Sequence, residues 1–215
     1  MTVANVAGTG PAEEGSVPDP LPDRATAGVI DTPFGQLAIV ATTGAGDLAH
    51  HGDRQSQQPV VLASGFGPLA DVMAAAEQTW TGAIDVGDVD DLPPEIVEGV
   101  RRWSSGADLS ALDRVPVSIV TGGFRSQAWR ALREVPAGSV VTYGELAEMA
   151  GAPAAARAAG TACATNRWAP FVPCHRVVPA SGGVGSYGYG PASKAAMLAH
   201  EGARVVGPSP SRVHP

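Results

Sequence analysis

The chain has 215 residues, with 14 Lys/Arg against 21 Asp/Glu for a net charge of −7, and 44% of it is hydrophobic. That length suits one large domain or two small ones, and the composition supports a packed core and excludes disorder throughout. No apolar run nears the roughly 18 residues of a membrane span, the N-terminus lacks a signal-peptide pattern, and two cysteines, Cys163 and Cys174, cannot build a disulfide framework or a cysteine zinc site, so a reduced, cytoplasmic protein is the simplest reading.

Residues 1–26 mix Pro, Gly, Glu, Asp and Ala without an apolar period and are expected to form a disordered tail, as are residues 207–215. Strand signals begin at Val29-Ile30 and continue through Leu37 to Val40, after a turn at Pro33-Phe34-Gly35. A polar loop follows from Thr42 to Gln58, then a short strand at Val60-Val61-Leu62. Pro68 to Ala76 reads as a helix with Leu69, Val72 and Met73 on one face. Asp85, Asp88, Asp90 and Asp91 fall short of a calcium loop's ligand set, so no metal is expected. A helix at Pro94 to Trp103 and a strand at Val115 to Val120 complete a small α+β domain over 27–121, in which no residue reads as chemical.

From Gly122 the character changes, and 122–206 reads as a mostly helical domain. Ser126 to Val135 is helical with Phe124, Ala128, Leu132 and Val135 on one face, and Pro136-Ala137-Gly138 ends it. Thr142 and Glu145 form a capping box. The helix it opens runs to Ala150 with Leu146, Met149 and Ala150 inward, breaks at Gly151-Ala152-Pro153, and a second helix spans Ala154 to about Ala164. Two short helices around a glycine-containing turn make a helix-turn-helix. The fold class is α+β, a small N-terminal α+β domain followed by this helical one.

Residues 122–206 hold eight Lys/Arg and four Glu, a net of +4, which leaves −11 for the remainder. A local nucleic-acid surface is therefore permitted on an acidic chain. The second helix carries one long side chain, Arg157, among alanines. It is either a slim buried helix or one bare enough to press into a DNA groove about 6 Å wide. Cys174 lies between Pro173 and His175-Arg176; it is either an apolar filler or a thiol whose pKa falls beside cationic neighbours. Five glycines fall within 182–190, and on the helix Pro191 to Glu201 the residues Lys194, Met197, Leu198 and Glu201 share one face. Glu201 sits where the helix dipole disfavours a carboxylate, by roughly 0.3–1 kcal/mol. It is either a surface residue or one held by a partner such as a histidine.

These residues resemble the O6-alkylguanine-DNA alkyltransferase family. Pro173-Cys174-His175-Arg176-Val177 matches its active-site signature, and Thr142-Tyr143, Ala155-Ala156-Arg157-Ala158, Val184-Gly185-Ser186-Tyr187 and Leu198-Ala199-His200-Glu201-Gly202 resemble its other motifs. Thr32-Pro33-Phe34-Gly35 weakly resembles a hairpin of its N-terminal domain, and little matches between Thr42 and Ile119. Arg167-Trp168 stands where the family usually has proline after the asparagine, and His50-His51 do not replace the cysteines with which some members bind zinc. The resemblance implies irreversible transfer of an alkyl group from guanine O6 in DNA to Cys174, without a cofactor. His175 would take the thiol proton through a water, Glu201 would support His175, and Asn166 would hold the turn. Tyr143, Gly144, Val177, Gly188 and Lys194 would contact the base, and Arg157 would fill the gap that the flipped base leaves. The implied partner is double-stranded DNA carrying O6-alkylguanine, with O4-alkylthymine as a second lesion, bound by a monomer and away from membranes. A non-transferring alkylated-DNA-binding relative and a cysteine hydrolase are the alternatives.

Overall fold

The structure, a computed structural model, describes residues 21–43, 58–119 and 122–205. A four-stranded sheet is built from β1 (Arg24–Thr32), β2 (Gly35–Thr42), β3 (Val61–Gly65) and β4 (Ala83–Val86), in the order β3-β2-β1-β4. β1 and β2 form the antiparallel hairpin expected around Pro33-Phe34-Gly35, and β2 pairs antiparallel with β3. Strand side chains alternate between faces. Ala38 and Val40 of β2 accordingly join Ala25, Ala27, Leu62 and Ala63 beneath α1 (Leu69–Glu77), which contributes Val72 and Ala76. Leu37, Ile39 and Ala41 face the other way, into the main core.

That main core spans both halves of the chain. α2 (Pro94–Ser104) adds Ile96, Val97, Val100 and Trp103, and α3 (Gly123–Arg133) adds Ala128, Trp129 and Leu132. β5 (Val141–Thr142) leads directly into α4 (Tyr143–Met149), and α5 (Ala156–Ala164) follows. Thr142 caps α4 and Glu145 returns to it, so the capping box forms as expected. Gly151 has φ +77°, a left-handed conformation that glycine adopts without a Cβ clash, and it turns the chain between the two helices. β5 pairs parallel with β6 (Val177–Val178), which ties the helix-turn-helix to the Cys174 segment. α6 (Pro191–His200) closes the fold.

Several expectations need correction. The first strand begins at Arg24, inside the expected 1–26 tail; Leu21 packs beneath the sheet and the Trp80 indole bonds the Pro22 carbonyl. β4 was not foreseen, because its four residues pair with β1 through backbone and bury little. Of the expected strand at 115–120, the described residues hold only a bridge from Val117 to Val61. Met149 is exposed, and Ala147 takes the inward position instead. The segment Phe171-Val172 leads into a 3₁₀ turn at Cys174–Arg176. Residues 1–20, His50-His51 and 207–215 lie outside the described residues.

Candidate active site

A 3₁₀ turn has three residues per turn, so consecutive side chains leave it in different directions. Cys174 points to Asn166, whose Nδ2 donates to Sγ at 3.0 Å and to the Val172 carbonyl at 2.8 Å. His175 turns its Nε2 to Glu201 Oε1, 3.1 Å away. Arg176 reaches the same carboxylate through Nε to Oε2 at 3.0 Å and Nη2 to Oε1 at 2.9 Å, and also meets the Val135 carbonyl and Asp113 Oδ1. Cys174, His175, Arg176 and Glu201 are all buried. Glu201 is therefore held by partners, and the surface reading of it fails.

The electrostatics follow from this packing. Burial opposes ionisation of Glu201, but the hydrogen bond from His175 and the charge and hydrogen bonds of the Arg176 guanidinium outweigh it and hold the carboxyl far below the usual carboxylate range. Burial drives the His175 pKa down despite Glu201, and the nearby Arg176 and Lys194 cations push the same way. The pair is thus a neutral imidazole donating from Nε2 to an ionised carboxylate. Nδ1 is then a free lone pair, buried and without a protein partner. The Cys174 thiol is pushed up by burial, against opposing effects of Asn166 and Lys194. This corrects the expectation of a lowered thiol: His175 and Arg176 are neighbours in sequence but spend their polar groups on Glu201.

Of the other expected residues, Lys194 and Tyr143 lie close enough to the thiol to interact with it electrostatically. Lys194 is buried, and its Nζ donates to the Val177 carbonyl at 2.5 Å, so that carbonyl already has one partner. Burial chiefly raises the Tyr143 pKa, and any ionisation of Cys163 or Cys174 would raise it further, which keeps its hydroxyl a proton donor. Gly144 is half-buried in the first turn of α4, and Gly188 is exposed in the glycine loop with open space where a Cβ would stand. Arg157 stands exposed on the first turn of α5. The Cys163 thiol is pushed up to about 12 by burial and the second cysteine.

Four residues were not singled out by sequence reasoning. Trp103 Nε1 donates to Glu201 Oε1 at 3.2 Å, and Asp113 meets Arg176 at 3.2 Å, so the N-terminal half does contribute to the polar network. The buried Tyr187 hydroxyl stands close enough to the thiol to affect its ionisation without reaching hydrogen-bond geometry. Tyr189 packs between Tyr187 and Phe66, at ring separations of 5.5 and 5.6 Å. A Cβ on Gly65 would collide with the Tyr189 hydroxyl, so glycine at the end of β3 leaves room for that side chain. The two tyrosines could have been suspected from their place in the glycine loop. Trp103 and Asp113 lie 98 and 63 residues from their partners and leave no local signal.

Residues 123–203 match the family model described as "6-O-methylguanine DNA methyltransferase, DNA binding domain". The crystal structure of Mycobacterium tuberculosis OGT in complex with DNA superposes with a TM-score of 0.57 at 30% identity, covering 82% of this chain and 92% of that one. The chain belongs to the O6-methylguanine DNA methyltransferase family. Methylated-DNA–protein-cysteine methyltransferases of Mycolicibacterium paratuberculosis and Homo sapiens are 50% and 48% identical over 78 and 81 residues. Those stretches cover 36% and 38% of this chain, and 47% and 39% of the respective relatives. The chain thus matches less than half the length of these curated relatives. No helix among the described residues is long and apolar enough to cross a membrane.

Proposed function

We propose that the protein repairs DNA by moving an alkyl group from guanine O6 to its own Cys174. The observation that carries the reading is the arrangement of His175, its Nε2 anchored on Glu201 and its Nδ1 unpartnered, next in sequence to a buried thiol that Asn166 orients. A resting thiol with a raised pKa needs a base at the moment of attack, and Nδ1 of His175 supplies one, through a water. Sγ then attacks the alkyl carbon, the C–O6 bond breaks, and its electron pair stays on O6. The thiol proton ends on the released base, so Cys174 becomes a thioether and guanine leaves neutral. Tyr143, kept protonated, can donate to the departing base. Glu201 stabilises the imidazolium while it exists, and Lys194 favours the thiolate electrostatically. Nothing in this chemistry reverses a thioether, so each molecule reacts once.

A base inside a duplex is out of reach of a buried thiol, so it must be flipped, at a cost of a few kcal/mol. We assign the bare face of α5 to the minor groove and Arg157 to the vacated stack. Gly144 and Val177 belong to the base pocket in this reading, and the loop around Gly188 faces O6. The division at Gly122 would separate a supporting sheet unit from the unit that binds DNA, in a monomer. A reducing compartment such as the cytoplasm suits a free acceptor thiol.

The test is intact-protein mass after incubation with duplex DNA carrying O6-methylguanine, followed by peptide mapping. The expected product is one added CH₂ on the Cys174 peptide and none on Cys163, with Cys174→Ala inert. Label on Cys163, or release of labelled product with turnover, would end the proposal.

A further inference from the structure

We propose that Arg167 is a positioning residue: it docks the Asn166 turn on the C-terminal end of α1, so that the sheet unit sets how Asn166 meets the Cys174 thiol.

α1 has no basic side chain in its last turn. Its final carbonyls lack intrahelical donors and carry the negative end of the helix dipole. Arg167, from the far side of the chain, supplies the missing cation. Its Nη1 donates to the Ala75 carbonyl at 3.0 Å and its Nη2 to Gln78 Oε1 at 3.2 Å.

The peptide that follows Arg167 is held at both ends. Its oxygen accepts from the Ser64 amide of β3 at 2.7 Å, and its Trp168 N–H donates to Asn166 Oδ1 at 3.0 Å. Ser64 Oγ adds a bond to the Ala169 carbonyl at 3.0 Å. The Trp168 ring is fixed between Trp129 at 5.1 Å and the Arg167 guanidinium at 5.6 Å. One continuous path therefore runs from α1 and β3, through this peptide, to the Asn166 amide and on to Sγ. A rotation of that peptide would turn Nδ2 away from the sulfur. Arg125 also lies near Arg167, so a phosphate contact is the competing role for this cation.

The inference rests on Cys174 being the acceptor, and its test works without DNA. The rate of Cys174 alkylation by iodoacetamide is measured against pH in the full chain. Arg167→Ala should move the profile to higher pH and slow the reaction at pH 8 by about 2- to 10-fold, the worth of one hydrogen bond. Arg167→Lys, which can still reach the Ala75 carbonyl, should recover most of the rate. Gln78→Ala, at an exposed side chain that tolerates change, should shift the profile the same way by less. On an Asn166→Ala background, Arg167→Ala should add nothing. A wild-type profile in Arg167→Ala with only a lower Tm would reduce the residue to a structural tie. A wild-type profile with weaker binding to plain duplex DNA would make it a phosphate contact, and additive effects with Asn166→Ala would break the path. Failure of the wild type to take up a methyl group would instead overturn the acceptor assignment, leaving these thiol profiles readable.

Discussion

The indole N–H of Trp103 meets Glu201 Oε1 at 3.2 Å, across 98 residues of chain. The same oxygen receives His175 Nε2 and Arg176 Nη2. An aromatic residue on α2, in the half of the molecule without a nucleophile, thereby helps to fix the carboxylate that orients the imidazole. Removing this donor should cost more than its packing does. Trp103→Phe keeps most of the ring contacts with Phe34 and His200 but deletes the bond. A hydrogen bond to a charged group is worth about 1.5–3 kcal/mol. Single-turnover transfer should slow and Tm should fall together, whereas an unchanged rate beside a lowered Tm would limit Trp103 to packing.

Glu201→Gln separates two tasks of one side chain. The carboxylate supports His175 and also neutralises the buried Arg176. The first loss should slow transfer, by up to the 10²–10⁴-fold typical of general-base catalysis. The second leaves a buried cation with Asp113 as its remaining acidic partner, and breaking such a pair costs about 3–5 kcal/mol. Denaturant titration should therefore show a markedly less stable protein. A variant as stable as wild type would mean that the Arg176 pair contributes little, and a wild-type rate would remove Glu201 from the relay.

Acid should destabilise the protein through two groups with the same sign. His175 has a folded pKa below its unfolded value, so the unfolded chain binds the extra proton first and stability falls as pH drops below about 6.5. Glu201 also has a lowered folded pKa, so its contribution is complete above about 4.3 and is lost as pH falls further toward the folded value. Transfer itself should persist below pH 6.5, because His175 remains a base there. Equilibrium denaturation and single-turnover rates over pH 4–8 check both statements. A rate that falls with an ordinary histidine midpoint would contradict the buried neutral imidazole.

Local patterns carried the helical half of the fold and not the polar network. The Thr142 and Glu145 capping box, the turn at Gly151 and the single face of Lys194, Met197, Leu198 and Glu201 all depend on residues within a turn or two of each other, and all appear as read. The state of Cys174 depends on where its neighbours' side chains go. Adjacency to His175 and Arg176 suggested a lowered pKa, but the 3₁₀ turn sends both toward Glu201 and burial prevails. β4 escaped notice because backbone pairing, rather than an apolar face, holds it to β1.

Arg157 should serve extrusion of the base and not the bond-making step. It is the one long side chain between Ala154 and Ala164, and it stands exposed on the first turn of α5. The opposite face of α5 is anchored, with Ala159 and Ala162 buried and the Trp129 indole bonded to the Ala162 carbonyl at 2.9 Å. The helix is thus a fixed platform from which only Arg157 projects far. If it occupies the vacated stack, its benefit exists only when a base must leave a duplex. Arg157→Ala should then react with free O6-alkylguanine almost as fast as wild type, and much more slowly with alkylated duplex DNA. An arginine that merely neutralises a phosphate would behave differently, weakening binding to alkylated and plain DNA alike, with a salt slope lower by about one. Equal loss on free base and duplex would instead mean that Arg157 shapes the pocket itself.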